Sequence, residues 1–516
     1  MTLTALVQRI GCAALCLTLA MAPLQAQEAA TQNQAPPAQG QPAAQRRPAE
    51  ARPPGEGLPR LPPDATTRHK LDLPGRSLDF SSTAGTIRLF DASSGAPQAD
   101  MAFIAYAKEG AETRNRPVTF VFNGGPGYAS GWLHLGALGP WRLNMAGEAA
   151  RPSAPPALEP NAETWLDFTD LVFLDPAGTG YSRILGGDEV RKSLWSTNGD
   201  VTSLAVTIRR WVQANGRELS PKFILGESYG GFRAPKIAHV LQTDQGVGVN
   251  GLVLVSPVLD FARFNATGSV LSYVARLPSV VATARERKGP ITRESLRDVE
   301  TYASGEFLSD LMKGVNDAPT LDRLSRRVAD MTGLDYALVR RLGGRVSAEI
   351  FAREINRPEG RVSSMYDGNA TGLDPTPFST RNNAEDQLRL GLHAPITQAM
   401  VELYRTRLNW VVENSRYQFQ NEQAGRQWDR GAHAEAVGDL RSAMALDPKM
   451  GVLVAHGLTD LVTPFFETRM VLDQIFLTGS AERLRFETYA GGHMFYSRDE
   501  ARKLFRADGE RLVGRR

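Results

Sequence analysis

The 516 residues are 42% hydrophobic and 22% charged, which is ordinary for a globular enzyme and leaves room for one large domain with an insertion or for two to three smaller ones. With 59 basic against 56 acidic residues, the net charge of +3 is too near balance to indicate nucleic acid or an anionic membrane as partner.

In chain order, Arg9 precedes an apolar run, Ile10 to Ala22, and then Pro23-Leu24-Gln25-Ala26. A charged start, a short apolar stretch and a small residue at the cut describe a signal peptide over residues 1–26. The run is shorter than the ~20 apolar residues needed to span a bilayer. The expectation is an exported protein, periplasmic or secreted, with no integral membrane segment once the signal is removed. Both cysteines, Cys12 and Cys16, lie inside this stretch, so the mature chain would have no thiol for catalysis, disulfides or thiolate metal sites. Residues 27–68 are rich in Pro, Ala and Gln and carry few large apolar side chains. Such a segment buries too little surface to offset its ordering entropy and reads as a disordered tether.

Folded sequence is expected from about His69. Thr86–Phe90 and Ala102–Ala107 read as an antiparallel pair around the Ser93-Ser94-Gly95 turn. The short apolar runs Val118–Phe122, Leu171–Leu174, Phe223–Leu225, Leu252–Val255 and Val452–Val454 suit a parallel sheet covered on both faces. Helical periodicity lies between them. Val201, Leu204, Ala205, Ile208, Trp211 and Val212 share one face behind an expected N-cap at Asp200. Alternation of this kind predicts an α/β fold with its ligand site at the carboxyl ends of the strands. From 261 to 440 the pattern changes to Arg- and Glu-rich amphipathic segments, such as Glu294–Lys313 and Leu321–Val339. This is expected to be a helical cap inserted into a catalytic domain made of 69–260 and 441–516, with a separate domain as the alternative.

Gly226-Glu227-Ser228-Tyr229-Gly230 follows the run Phe223–Leu225 and precedes a helical pattern at Ala234, Ile237, Ala238 and Leu241. This is the G-x-S-x-G elbow in strand–turn–helix context, which makes Ser228 the expected nucleophile of an α/β-hydrolase fold. That fold places an acid and then a histidine later in the chain. Val452–Val454 leads to Asp460, and the glycine-flanked His493 follows 33 residues later, with room for a helix at Thr468–Phe476 and a strand at Leu484–Thr488. His493 is the expected base and Asp460 its orienter, chosen over Asp439 and Asp447. The other histidines, including His69, His239, His393 and His456, lack that setting. Asn123-Gly124-Gly125-Pro126-Gly127 after Val118–Phe122 suits a loop giving one oxyanion N–H, with Tyr229 giving the second. No phosphate loop or H-E-x-x-H motif occurs, so neither a metal nor a cofactor is expected.

Together these motifs resemble the serine carboxypeptidase family, peptidase family S10. The likeness rests on Asn123–Gly127, Asp175-Pro-Ala-Gly-Thr-Gly-Tyr-Ser182, Gly226–Gly230, Gly457-Leu-Thr-Asp460 and Gly492-His493-Met494, in the family's order. The resemblance implies Ser228, Asp460 and His493 as triad, Gly125 and Tyr229 as oxyanion donors, and Asn123 with Glu227 as the pair gripping a substrate's terminal carboxylate. It implies a cap at the same place, and peptide or protein C-termini as substrate. Three positions depart from familiar eukaryotic members, which suggests a bacterial-type member. Tyr128 stands where they have cysteine, Ala137 where they have a glutamate supporting the carboxylate cluster, and Gly231-Phe232-Arg233 replaces their segment after the elbow. Arg142 or Arg233 is then a candidate cationic grip. An esterase or acyltransferase with the same triad, or a silent binding protein, remains the alternative.

Overall fold

The computed structural model describes residues 60–514, except 146, 148–149, 263–268, 380–384, 414, 433 and 476–480. The expected signal peptide and residues 27–59 of the expected tether lie outside the described residues.

Nine strands of the main sheet carry the argument: β1 (Ala65–Leu73), β2 (Arg76–Phe90), β3 (Pro97–Lys108), β4 (Val118–Phe122), β5 (Asp170–Leu174), β6 (Lys222–Glu227), β7 (Gly251–Val255), β8 (Gly451–Gly457) and β9 (Leu484–Tyr489). Their order is β1-β2-β3-β5-β4-β6-β7-β8-β9, and the short strand Arg183–Ile184 also pairs with β3. The first three are antiparallel, and every pairing from β5 to β9 is parallel. The central strands β4, β5, β6 and β7 are buried along their whole length, which is why they read as unbroken apolar runs. This is the α/β-hydrolase fold. β1 begins at Ala65, ahead of the boundary expected at His69. His69 is a strand residue stacked on Phe80, 5.2 Å between ring centroids.

Helix α1 (Thr197–Ala214) buries the face expected of it, Val201 through Val212, against one side of the sheet beside α2 (Tyr229–Thr243). Its cap is Ser196, whose hydroxyl accepts from the Gly199 N–H, and not Asp200. Asp200 lies inside the first turn, fully buried, because its carboxylate is drawn to Arg233 at 2.8 Å.

Between β7 and β8 the chain runs through helices and one short antiparallel pair, Arg361–Ser363 with Thr371–Leu373. The amphipathic segment Leu321–Val339 falls on two helices, Ala318–Thr332 and Tyr336–Arg341, broken around Gly333 and restarted by Asp335, whose side chain caps Leu338 N–H. These helices bury their apolar faces with Leu458, Leu461, Phe465 and Phe466, so they pack on the turn that follows β8. Helix α3 (Gln387–Thr406) joins the other face of the sheet. After it, residues 417–421 form an extended strap. Gln418 and Gly180 exchange backbone hydrogen bonds at 2.8 and 2.9 Å, Ala129 N–H donates to Phe419 O, and Asn421 N–H donates to Gly127 O. Helix α4 (Phe465–Leu472) follows the turn after β8, starting three residues before and ending four residues before the helix expected at Thr468–Phe476.

Candidate active site

β6 ends in Glu227, and the chain turns at Ser228 with φ 60° and ψ −120° before entering α2. A positive φ at a residue bearing a β-carbon is strained, and it persists because neighbours fix it. Ser228 N–H donates to Val255 O at 2.9 Å, and the side chain stands half-buried at the N-terminus of α2. The loop after β4 lies directly on this elbow. A β-carbon at Gly124 would sit 2.5 Å from Tyr229 N and 2.6 Å from Glu227 O, so only glycine permits the approach. Among the described residues no acceptor takes the N–H of Gly125 or of Tyr229. The Tyr229 ring is anchored behind the turn, its hydroxyl 2.8 Å from Trp428 Nε1 and 3.1 Å from Thr197 Oγ1.

β8 delivers Asp460 through the turn after Gly457, and the loop after β9 delivers His493. The Asp460 carboxylate is 2.8 Å from His493 Nδ1, and both are buried. Asp460 Oδ1 accepts the N–H groups of Val462 and Thr463 at 2.9 and 3.0 Å, and its Oδ2 faces the Thr463 hydroxyl at 2.7 Å. That hydroxyl is also 3.0 Å from His493 Nδ1 and 2.9 Å from Ser256 O. Burial alone would lower the His493 pKa, but the Asp460 carboxylate outweighs it and holds the ring above its ordinary value. The two rival acids face elsewhere: Asp439 bonds Lys236 and His239, and Asp447 accepts from Lys449 N–H. The Ser228 hydroxyl and the His493 ring are not hydrogen-bonded to one another. Gly492 is glycine for a reason of packing, since a β-carbon there would lie 2.0 Å from Tyr366 O.

Asn123 and Glu227 are both buried beside the elbow. Asn123 Oδ1 accepts from Leu133 N–H at 3.1 Å, and its amide Nδ2 makes no hydrogen bond although the Glu227 carboxyl is its neighbour. Burial pushes the Glu227 carboxyl up to about 7. Asp460 adds to that rise, while His493, the Tyr496 hydroxyl at 2.5 Å and Asn123 oppose it.

Neither expected cationic grip reaches this pair. Arg233 is fully buried, ion-paired to Asp200, and donates to the Asn123 backbone carbonyl at 3.1 Å. It therefore holds the Asn123 backbone from behind, with its charge met by Asp200. Arg142 lies 3.6 Å from Glu159 on a short strand pair formed by Trp141–Leu143 and Leu158–Pro160.

Four residues near the site carry no motif. Thr463 and Tyr496 each follow a motif residue by three positions, which is the only local signal they give. Tyr366 packs edge-on against the His493 ring at 5.3 Å, and its carbonyl accepts the His493 N–H at 2.5 Å. Arg389, on α3, donates to Gln420 Oε1 at 3.0 Å and to the Tyr128 hydroxyl at 3.3 Å. Tyr366, Arg389 and Gln420 line a cleft of about 390 Å³ with Gly125, Pro126 and Tyr128.

A sequence profile described as serine carboxypeptidase matches residues 74–275, which includes the Asn123–Gly127 loop and the Ser228 elbow and stops short of Asp460 and His493. The chain is similar to the pheromone-processing carboxypeptidase kex1 of Aspergillus fumigatus, 28% identical over 210 residues, a match covering 39% of this chain and 30% of that protein. It is also similar to serine carboxypeptidase-like 28 of Arabidopsis thaliana, 27% identical over 205 residues, covering 37% of this chain and 40% of that one. The matches thus span well under half the length of these relatives. Among solved structures, a prohormone-processing carboxypeptidase, Kex1ΔP from Saccharomyces cerevisiae, superposes with a TM-score of 0.53 at 14% identity, covering 84% of this chain and 91% of that one, a likeness of fold. The likeness to the serine carboxypeptidase family is thus carried in sequence by residues 74–275, which hold the loop after β4 and the Ser228 elbow.

Proposed function

We propose that this protein is a serine-type carboxypeptidase that hydrolyses C-terminal peptide bonds through an acyl-enzyme on Ser228. His493 takes the serine proton and returns it to the leaving amine, and Asp460 holds the imidazole with Nδ1–H toward itself. The N–H groups of Gly125 and Tyr229 receive the oxyanion, reinforced by the N-terminal dipole of α2. No helix among the described residues is long and apolar enough to cross a membrane, and action as an exported periplasmic or secreted enzyme on peptide or protein C-termini belongs to the same proposal.

One observation carries the choice of a terminal carboxylate as ligand: the buried, unbonded Asn123 amide beside a Glu227 carboxyl whose pKa is raised to about 7. Both can donate to a carboxylate while Glu227 is protonated. Once it ionises, two carboxylates repel and binding weakens. The triad has the opposite requirement, since His493 must be neutral. For a peptide with a free C-terminus, kcat/KM is expected to fall as pH rises through about 7. For the matching C-terminal amide it should keep rising with His493 deprotonation. Glu227→Gln should flatten the alkaline fall, because an amide donates at every pH. Parallel pH profiles on the two substrates check this, and coincident profiles at equal rates would rule out carboxylate recognition. The buried Ala137, which adds no acid to the cluster, is the observation favouring the second reading, an esterase or acyltransferase with the same triad.

A further inference from the structure

We propose that Arg389 is a specificity-determining residue, the cation that receives a carboxylate of the substrate's leaving residue, an inference resting on the hydrolase reading above. Its guanidinium is half-buried, and no carboxylate lies within ion-pair distance of it among the described residues; both of its hydrogen-bond acceptors, the Tyr128 hydroxyl and Gln420 Oε1, are neutral. The nearest acid in sequence, Asp386, has its oxygens committed to Ser364 Oγ and to the N–H groups of Met365 and Arg389. The two other charged residues lining the cleft, Glu422 and Arg426, pair with each other at 3.3 Å. A partly desolvated arginine left with donors to spare and only neutral partners is matched by a bidentate anion.

The position of the cleft says which part of a substrate brings that anion. One wall is the loop of Gly125 and Pro126, and another is Tyr366, whose ring rests on His493. The imidazole protonates the leaving amine, so the leaving residue must lie on the imidazole's side of the scissile bond. That residue carries an α-carboxylate and, when it is Asp or Glu, a second one in its side chain. Either meets Arg389 with the same chemistry.

The test separates recognition from turnover. Ser228→Ala protein, alone and combined with Arg389→Gln or Arg389→Lys, is titrated calorimetrically with four N-acylated dipeptides, ending in leucine or glutamate, each as free acid and as C-terminal amide. Arg389→Gln should weaken binding of carboxylate-bearing peptides roughly 10–100-fold and leave the leucine amide unchanged, with Lys recovering part of the loss. A loss on the leucine acid assigns Arg389 to the α-carboxylate, and a loss on the glutamate amide assigns it to the side chain. Equal affinities for all four peptides in every variant, or an equal loss on the leucine amide, would overturn the proposal. Thermal unfolding of each variant identifies a folding defect, in which case the Lys variant supplies the comparison. Fluorophosphonate labelling and peptide hydrolysis by the unaltered enzyme test the hydrolase reading independently. Failure there with carboxylate-dependent binding intact would remove the activity and leave the site.

Discussion

Ser228→Ala is expected to lower kcat by roughly 10⁴–10⁶ and to abolish fluorophosphonate labelling, with the fold retained. The residual rate would come from the N–H donors of Gly125 and Tyr229 and from substrate positioning, none of which needs the hydroxyl. His493→Ala should be about as damaging, because nucleophile and base act as one unit. Alanine relieves nothing at φ 60°, since it carries a β-carbon as serine does, so the elbow keeps its strain and its geometry. Labelling that persists in the Ser228→Ala protein would place the nucleophile elsewhere and remove the whole assignment.

The second large effect is expected at Asp460→Asn, a loss of roughly 10⁴ in kcat with little change in structure. The surroundings of Asp460 dictate how the asparagine must sit. Oδ1 faces the two backbone N–H groups of Val462 and Thr463, so the amide oxygen has to occupy that side. The NH₂ group then replaces Oδ2 and points at His493 Nδ1, which can only accept. The ring is driven to carry its proton on Nε2, where it cannot take one from serine. Thr463 adapts by donating to Ser256 O, already 2.9 Å away. Near-normal kcat in Asp460→Asn, with a large loss in Asp447→Asn instead, would show the wrong acid was chosen.

What could be read from the sequence follows from where its determinants lie. β4 to β8 were legible because strands covered on both faces must be continuously apolar. The elbow and the Asn123–Gly127 loop were legible because backbone contacts such as Gly124 against Tyr229 N impose glycine at fixed positions. Asp200 was misread as a cap because Asp is a good N-cap residue in isolation, and its real partner, Arg233, becomes a neighbour only when α1 and α2 pack together. The break after Thr332 does not show in the periodicity for a related reason. The amphipathic pattern runs on across Gly333, while the second helix depends on its own Asp335 cap. Tyr366 and Arg389 gave no signal at all. Each works through a contact with a residue over a hundred positions away, and neither changes the local pattern of its own segment.

The strap at 417–421 bears on how such a site can change over time. Its attachments to Gly180, Ala129 and Gly127 run through main-chain atoms, which any residue other than proline can supply. Its side chains alternate as in any extended segment. Tyr417 and Phe419 point inward and are buried, whereas Gln418 and Gln420 border the open clefts. Burial against the core and exposure to the clefts therefore fall on different positions of the same short segment. Substitutions at 418 and 420 leave those main-chain bonds to the Gly127–Ala129 loop in place, which makes these two positions natural entry points for diversification or for directed evolution.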